Sequence, residues 1–142
     1  MINYQRCVFE FMRKHKQFAA RYPHDIPEEV RELRKRLHRE ECITELEAAM
    51  DAGDLYEIAD ALADSLYVIF GTAITYGIPI DSVFDEVHRS NMSKDRLANQ
   101  IGIADKVSKG INFRPPKIRP LIDQCIRMGM DNDNSNSEGE GI

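Results

Sequence analysis

The stretch Glu57–Gly71, "EIADALADSLYVIFG", sets the strictest condition on how this chain folds. Ile58, Leu62, Leu66, Ile69 and Ala73 recur at helical spacing and predict a helix from about Leu55 to Tyr76, stopped by Gly77. Glu57, Asp60 and Asp64 fall on the other side at i, i+3 and i+7, and their stripe runs on through Val68 and Gly71. An amphipathic surface helix also carries acids on one face. Solvated faces, however, normally mix signs in i,i+4 pairs, and this stripe holds no Lys or Arg. Carboxylates that merge into apolar residues need a partner.

The preceding segment repeats the design. Pro27 suits a first helical turn, and Glu28 and Glu29 suit the positive end of a helix dipole, so a helix is predicted from there to about Met50. Val30, Leu33 and Leu37 form a stripe that continues through Glu41, Thr44 and Ala48, with Glu45 beside it. Ile43, Leu46 and Met50 point the other way, which predicts cover on two sides. "DAGD" closes this helix, and so short a turn implies antiparallel packing on the next.

Outside this hairpin, Tyr4, Val8, Phe11, Met12 and Phe18 predict a helix over about Tyr4–Ala20, and Asp81 or Ser82 is placed to cap a short helix "SVFDEVHRS". After Asn91 the chain is rich in Lys, Arg, Asn, Gly and Pro and predicts irregular structure, with "LIDQCIRMG" as a last short helix. The final twelve residues carry four acids and no base, so residues 129–142 read as a disordered acidic tail. β signals are weak. The expectation is an all-α bundle of four to five helices in one domain, residues 1–128, with an irregular C-terminal segment.

Removing the tail leaves 20 acids against 19 bases, a nearly neutral body with no overall field for nucleic acid. Cys7, Cys42 and Cys125 are odd in number and widely spaced, as in a reduced, cytoplasmic protein. The N-terminus lacks a signal-peptide core, and the longest apolar run, broken by Asp60 and Asp64, is short of the roughly 20 apolar residues a bilayer needs; no membrane partner is expected.

If Glu41, Glu45, Glu57 and Asp60 converge at ~5 Å, each like-charge pair costs roughly 3 kcal/mol at an effective dielectric of 20. Several such pairs exceed the stability of a small domain. A cation among them resolves the conflict. Oxygen ligation without Cys or His suits a hard ion, Mg²⁺ with Mn²⁺ as substitute.

At this point the motifs resemble a known family. "EECITE" followed by "EIADALADSLYV" is similar to the EExxE…ExxD signature of the all-α nucleoside triphosphate pyrophosphohydrolases, which include the MazG-like, dimeric dUTPase and phosphoribosyl-ATP pyrophosphohydrolase groups. "GTAITYGIPIDSVFDEVHRSNMSK" and "KVSKGINFRPP" look like the rest of the MazG-like pattern, so the likeness covers about Arg36–Pro116. It implies a Mg²⁺-dependent hydrolase cleaving between the α and β phosphates of a nucleotide, giving a monophosphate and pyrophosphate. It also implies at least a dimer, or a dimer of dimers.

Residue by residue, the resemblance makes Glu57 and Asp60 the ExxD ligands and Glu45 the last Glu of the first motif. Counting back from Glu45 places Glu41 at the first Glu and Cys42 at the second; counting forward from Glu40 and Glu41 places Thr44 at the last. Glu41 and Glu45 share a face at i,i+4 and are expected as ligands, while Glu40 on the flank is expected to position water. Which of Glu40 and Glu41 binds metal stays open. Asp64 is expected on the substrate side.

"HRSNMSK" closes the fourth helix with Arg89, Asn91 and Lys94, which reads equally as cations at a helix C-terminus or as phosphate ligands. The resemblance favours Asn91 and Lys94 on phosphate oxygens, with Lys109 beside Gly110 as a further candidate. His88 has no second Glu-x-x-His partner and reads as structural. Cys42 among carboxylates reads as a packed thiol rather than a nucleophile. Thr72, Tyr76 and Phe113 are candidates for a base pocket, with core packing the default for the two aromatics. Other readings are hydrolysis of phosphoribosyl-ATP, and a non-catalytic helical module that binds nucleotides or a protein partner.

Overall fold

The computed structural model describes residues 3–95 and 107–137, with side chains to residue 133. Positions 96–106 of the irregular segment and 138–142 of the tail lie outside the described residues. Six α-helices follow in order: α1 (Tyr4–Lys14), α2 (Glu28–Leu37), α3 (Leu46–Ala52), α4 (Leu55–Tyr76), α5 (Ile80–Met92) and α6 (Ile118–Ser137). A π-helical segment, His38–Glu45, joins α2 to α3, so Glu28–Ala52 is one continuous helical run. Five helical runs result, and no strand occurs among the described residues, only an isolated bridge between Asp95 and Ser108.

α4 is the central helix and packs against α1, the π segment and α3. Its ends follow local chemistry. The Asp54 carboxylate accepts from Tyr56 N at 2.9 Å and Glu57 N at 3.3 Å, and Gly77 closes the helix at φ 67°. A side chain at Gly77 would also strike the backbone of Tyr22. Gly53 makes the tight turn between α3 and α4 at φ 66°. At 22 residues α4 is long and apolar enough by composition to cross a bilayer, so length alone does not separate it from a membrane span. What marks it as a bundle helix is the face it turns to its neighbours, where Ala61, Ser65, Val68, Gly71, Ala73, Ile74 and Thr75 are buried.

The core is small: Val8 and Met12 of α1 meet Ile74 of α4, with Phe70 packed alongside. α1 stops at Lys14, short of the predicted Ala20. Lys16 turns left-handed at φ 52° and Gln17 N donates to Met12 O, which ends the helix and leaves Phe18 on the exposed connector. α5 begins at Ile80 with Pro79 at its N-cap, so neither Asp81 nor Ser82 caps it. α5 packs on α6, and Glu86 fastens the intervening chain: its carboxylate accepts from Lys117 N at 2.6 Å and pairs with Arg89 at 2.7 Å. Those two contacts hold the Glu86 carboxyl down at about 2. α6 runs to Ser137, beyond the short helix predicted at "LIDQCIRMG".

Candidate functional site

The π segment carries Glu40, Glu41 and Glu45. Its sequence, "HREECITE", holds one residue more between its acids than the spacing E-E-x-x-E. A π-helix bonds i to i+5 rather than i+4, so it takes up one additional residue without turning the flanking helices out of phase. The Thr44 hydroxyl donates to Arg39 O, five residues back, at 2.9 Å. The local geometry thus accommodates the additional residue, and π turns of this kind collect at functional sites.

Across the hairpin, Glu41, Glu45 and Asp64 each offer a carboxylate oxygen, all within 4.8 Å of one another. Burial, Glu45 and Asp64, in that order, raise the pKa of Glu41. None of the three forms an ion pair among the described residues. Three oxygens at that separation, with no Cys or His and no base to neutralise them, fit a hard divalent cation.

Glu57 and Asp60 are exposed on α4 and are not part of this group. Counting outward from Gly53, Glu45 and Asp60 stand eight and seven residues away, and Glu41 and Asp64 twelve and eleven. Asp60 is therefore level with Glu45 along the antiparallel pair. Glu57 lies about 10 Å along the axis from Asp64 at 1.5 Å per residue. Asp64, expected on the substrate side, stands among the ligand candidates as well as on the pocket wall. Glu40 is exposed beside them.

Glu41 and Asp64 also line a pocket of about 320 Å³ between α1, α2 and α4. Asn91, Lys94 and Lys109 do not line it. Asn91 and Lys94 lie at the end of α5, where Lys94 N donates to Asn91 O at 3.0 Å. The Lys109 ammonium stands 5.0 Å from the Phe113 ring, a cation–π contact. The predicted base-pocket trio divides too: Thr72 and Tyr76 line a cleft with His38 and four basic residues of the Arg31–Arg39 stretch, whereas Phe113 lines a groove against α5.

Sequence reasoning missed Arg34. It sits on the same run as Val30 and Leu37 but is 7% exposed, with its Nε buried and unpartnered. Nη2 donates to Gln17 Oε1 at 3.2 Å, and Nη1 lies where a side chain on Gly71 would be. The usable signal was Gly71, a residue without a side chain directly across from a long one. Next to Arg34, the Thr72 hydroxyl donates to Val68 O at 2.9 Å, so His38 Nε2 donates to Thr72 Oγ1 at 2.9 Å. In the neutral ring Nδ1 is then the unprotonated nitrogen, 3.6 Å from Cys42 Sγ. Burial, then the Arg34 charge, lower its pKa.

A helical hairpin that gathers carboxylates from both arms, beside a pocket holding a buried guanidinium, makes an all-α site that sets candidate cation ligands next to a positive group. The family model for phosphoribosyl-ATP pyrophosphohydrolase matches residues 8–91, and the chain belongs to that family, within the superfamily that includes the MazG-like proteins. The match spans α1 to α5 and so contains the whole acidic site. A pyrophosphohydrolase-type activity on nucleotides goes with that membership. No curated protein matches the chain.

Proposed function

We propose that the protein is a Mg²⁺-dependent nucleoside triphosphate pyrophosphohydrolase, releasing a nucleoside monophosphate and pyrophosphate. The observation that carries this reading is the convergence of Glu41, Glu45 and Asp64 within 4.8 Å, two of which, Glu41 and Asp64, also line a pocket large enough for a nucleotide's base. Glu41, Glu45 and Asp64 hold the cation, and Asp60, level with Glu45 and exposed, turns in as a further ligand; Glu57 completes the stripe. A bound divalent ion supplies charge neutralisation for the phosphate oxygens. Glu40 orients the attacking water and takes its proton as the new P–O bond forms at the α phosphorus and the bond to the pyrophosphate oxygen breaks.

Positive charge for the leaving pyrophosphate comes from Lys94 and an amide donor from Asn91, and we assign these to a second copy of the chain. Ile43, Met50, Leu62, Leu66 and Ile69 are exposed on the two helical runs that carry the acids, apolar surface that a two-fold partner would cover. Light scattering is expected to show at least a dimer at micromolar concentration. A monomer would remove the partner from this scheme. Free Cys7, Cys42 and Cys125 accord with a reducing, cytoplasmic setting.

The decisive experiment measures pyrophosphate release from the common ribo- and deoxyribonucleoside triphosphates with Mg²⁺ or Mn²⁺. Release of pyrophosphate with a matching monophosphate is expected; orthophosphate release, or no hydrolysis, overturns the reading. Hydrolysis of phosphoribosyl-ATP is a second reading favoured by the matched family model, and that substrate belongs in the same panel.

A further inference from the structure

Arg34 is a buried cation without a counter-ion. A buried charge normally has a partner of opposite sign. Among the described residues the 7%-exposed Arg34 meets only the neutral Gln17 amide oxygen, and its Nε is unpartnered. The side chain forms part of two cavity walls, and the charge of the two differs. Between α1, α2 and α4, Glu41 and Asp64 share the wall with it. On the other side lies a cleft of about 350 Å³ between α2, the π segment and α4. Arg31, Lys35 and Arg39 line that cleft beside Arg34, and no carboxylate among the described residues does.

A row of bases on a helix is usually a solvated face, and part of this one is. Arg31 pairs with Asp25 at 3.3 Å and Lys35 with Glu32 at 2.8 Å, and every side chain in these two pairs is at least 41% exposed. Solvent screens such pairs, so their cations are readily shared with another anion. Arg39 has no ion pair among the described residues, and Arg34 has none either. Two guanidinium charges are therefore left without a carboxylate. The His38 Nε2 and Thr72 hydroxyl hydrogens are committed, to Thr72 and to Val68 O, so the cleft offers positive charge rather than neutral donors.

We propose that this cleft is a second anion site, apart from the acidic cluster, and that it takes a diphosphate group, either inorganic pyrophosphate or the diphosphate of a nucleotide. The planar fork of arginine matches phosphate oxygens two at a time. Two uncompensated guanidiniums, flanked by two cations in screened pairs, complement a multiply charged anion better than a single carboxylate. The inference does not depend on the hydrolytic reading, because it needs neither a bound cation nor turnover.

The test is calorimetry on the full chain in EDTA at about 0.15 M salt, where exposed charges are well screened. Inorganic pyrophosphate is expected to bind at one site per chain, at least tenfold tighter than sulfate. ADP is expected to compete for the same site; tighter binding of ADP assigns the diphosphate to a nucleotide, weaker binding to the free ion. Arg39→Gln, at an exposed position, should weaken pyrophosphate at least tenfold. Arg36→Gln removes the same charge from the same helical run but outside the cleft, and Lys94→Ala removes one elsewhere; both should leave the affinity nearly unchanged. Arg34→Met should act like Arg39→Gln, with its fold checked by thermal melting, and Arg39→Gln stands as the test should it not fold. Equal losses in Arg36→Gln and Arg39→Gln overturn the proposal, since they would show a diffuse surface field. Pyrophosphate binding that is absent in EDTA, or that vanishes in Lys94→Ala, overturns it as well. Failure of the pyrophosphate-release assay alongside retained binding in EDTA would sink the catalytic reading and leave this one standing.

Discussion

Glu41 of the π segment and Asp64 of α4 hold carboxylate oxygens within 4.8 Å of each other across the helical hairpin. Without a cation this contact works against the fold. Burial, then Glu45 and Asp64, hold the Glu41 pKa above its ordinary 4.5, so the native state binds a proton more readily than the unfolded chain. The penalty is present at neutral pH and is relieved as pH falls through the raised native value. Glu41→Gln should therefore melt at the same or a higher temperature than the wild type in EDTA at pH 7. With millimolar Mn²⁺ the order should reverse, since only the wild type gains from metal binding. A wild type that gains no thermal stability from Mn²⁺ would remove these carboxylates from any metal site.

Gly71 and Arg34 give a second test. A Cβ at position 71 would lie 2.8 Å from Arg34 Nη1, the far end of a side chain that can move only if its contact with Gln17 yields. Overpacking of this kind costs about 1–3 kcal/mol in a tight core. Gly71→Ala should fold and should unfold at lower denaturant with an unchanged m-value. Full stability would mean that Arg34 has another comfortable position.

His38 predicts a pH effect on stability. Its pKa lies below the ordinary 6.5 because burial and then the Arg34 charge disfavour the imidazolium. The neutral ring's contribution is fully present above 6.5 and is lost as pH falls from there through the lower native value, where the unfolded chain takes up the proton first. Denaturant titrations between pH 7.5 and 5.5 should show a decline that His38→Gln flattens. A wild-type slope matching that of the variant would place the effect elsewhere.

How far the sequence carried depended on whether the governing interaction was local. α4 was legible at both ends because Asp54 and Gly77 act within a few residues of themselves. α1 was overextended because apolar spacing continued to Phe18, while the left-handed turn at Lys16 reflects the path of the connector, not a residue preference. Pairing of the two acidic runs followed from the short turn at Gly53, yet membership of the cluster did not. Glu57, Asp60 and Asp64 share one stripe, and only the axial level set by the hairpin distinguishes Asp64 as the one beside Glu41. The cationic segment at Asn91 and Lys94 followed the likeness to a family, and nothing in local spacing says where such a segment docks. Arg34 was hidden because a buried arginine and an exposed one look alike on a helical wheel.

The π segment makes the last prediction. In an α-helix, removing one residue turns everything before it by about 100° relative to everything after it. His38–Glu45 differs, because its wider hydrogen-bonding already accommodates a surplus residue. Deleting Thr44 should let the run close into continuous α-helix with α2 and α3 still in phase, keeping Arg34 against Gly71. It also leaves Glu40 and the final Glu at i,i+4, in the spacing E-E-x-x-E, so Glu40 would take the position Glu41 now holds. Deleting Ala63, exposed in the middle of α4, removes as little contact but has no such slack, and it would swing Glu57 and Asp60 away from the face of Asp64. Circular dichroism and thermal melting should show cooperative unfolding for the Thr44 deletion and its loss for the Ala63 deletion. Mn²⁺ titration of the Thr44 deletion combined with Glu40→Gln then reports whether the ligand role has passed to Glu40. Collapse of both deletions alike would show that the π turn is fixed by its surroundings and not by the additional residue.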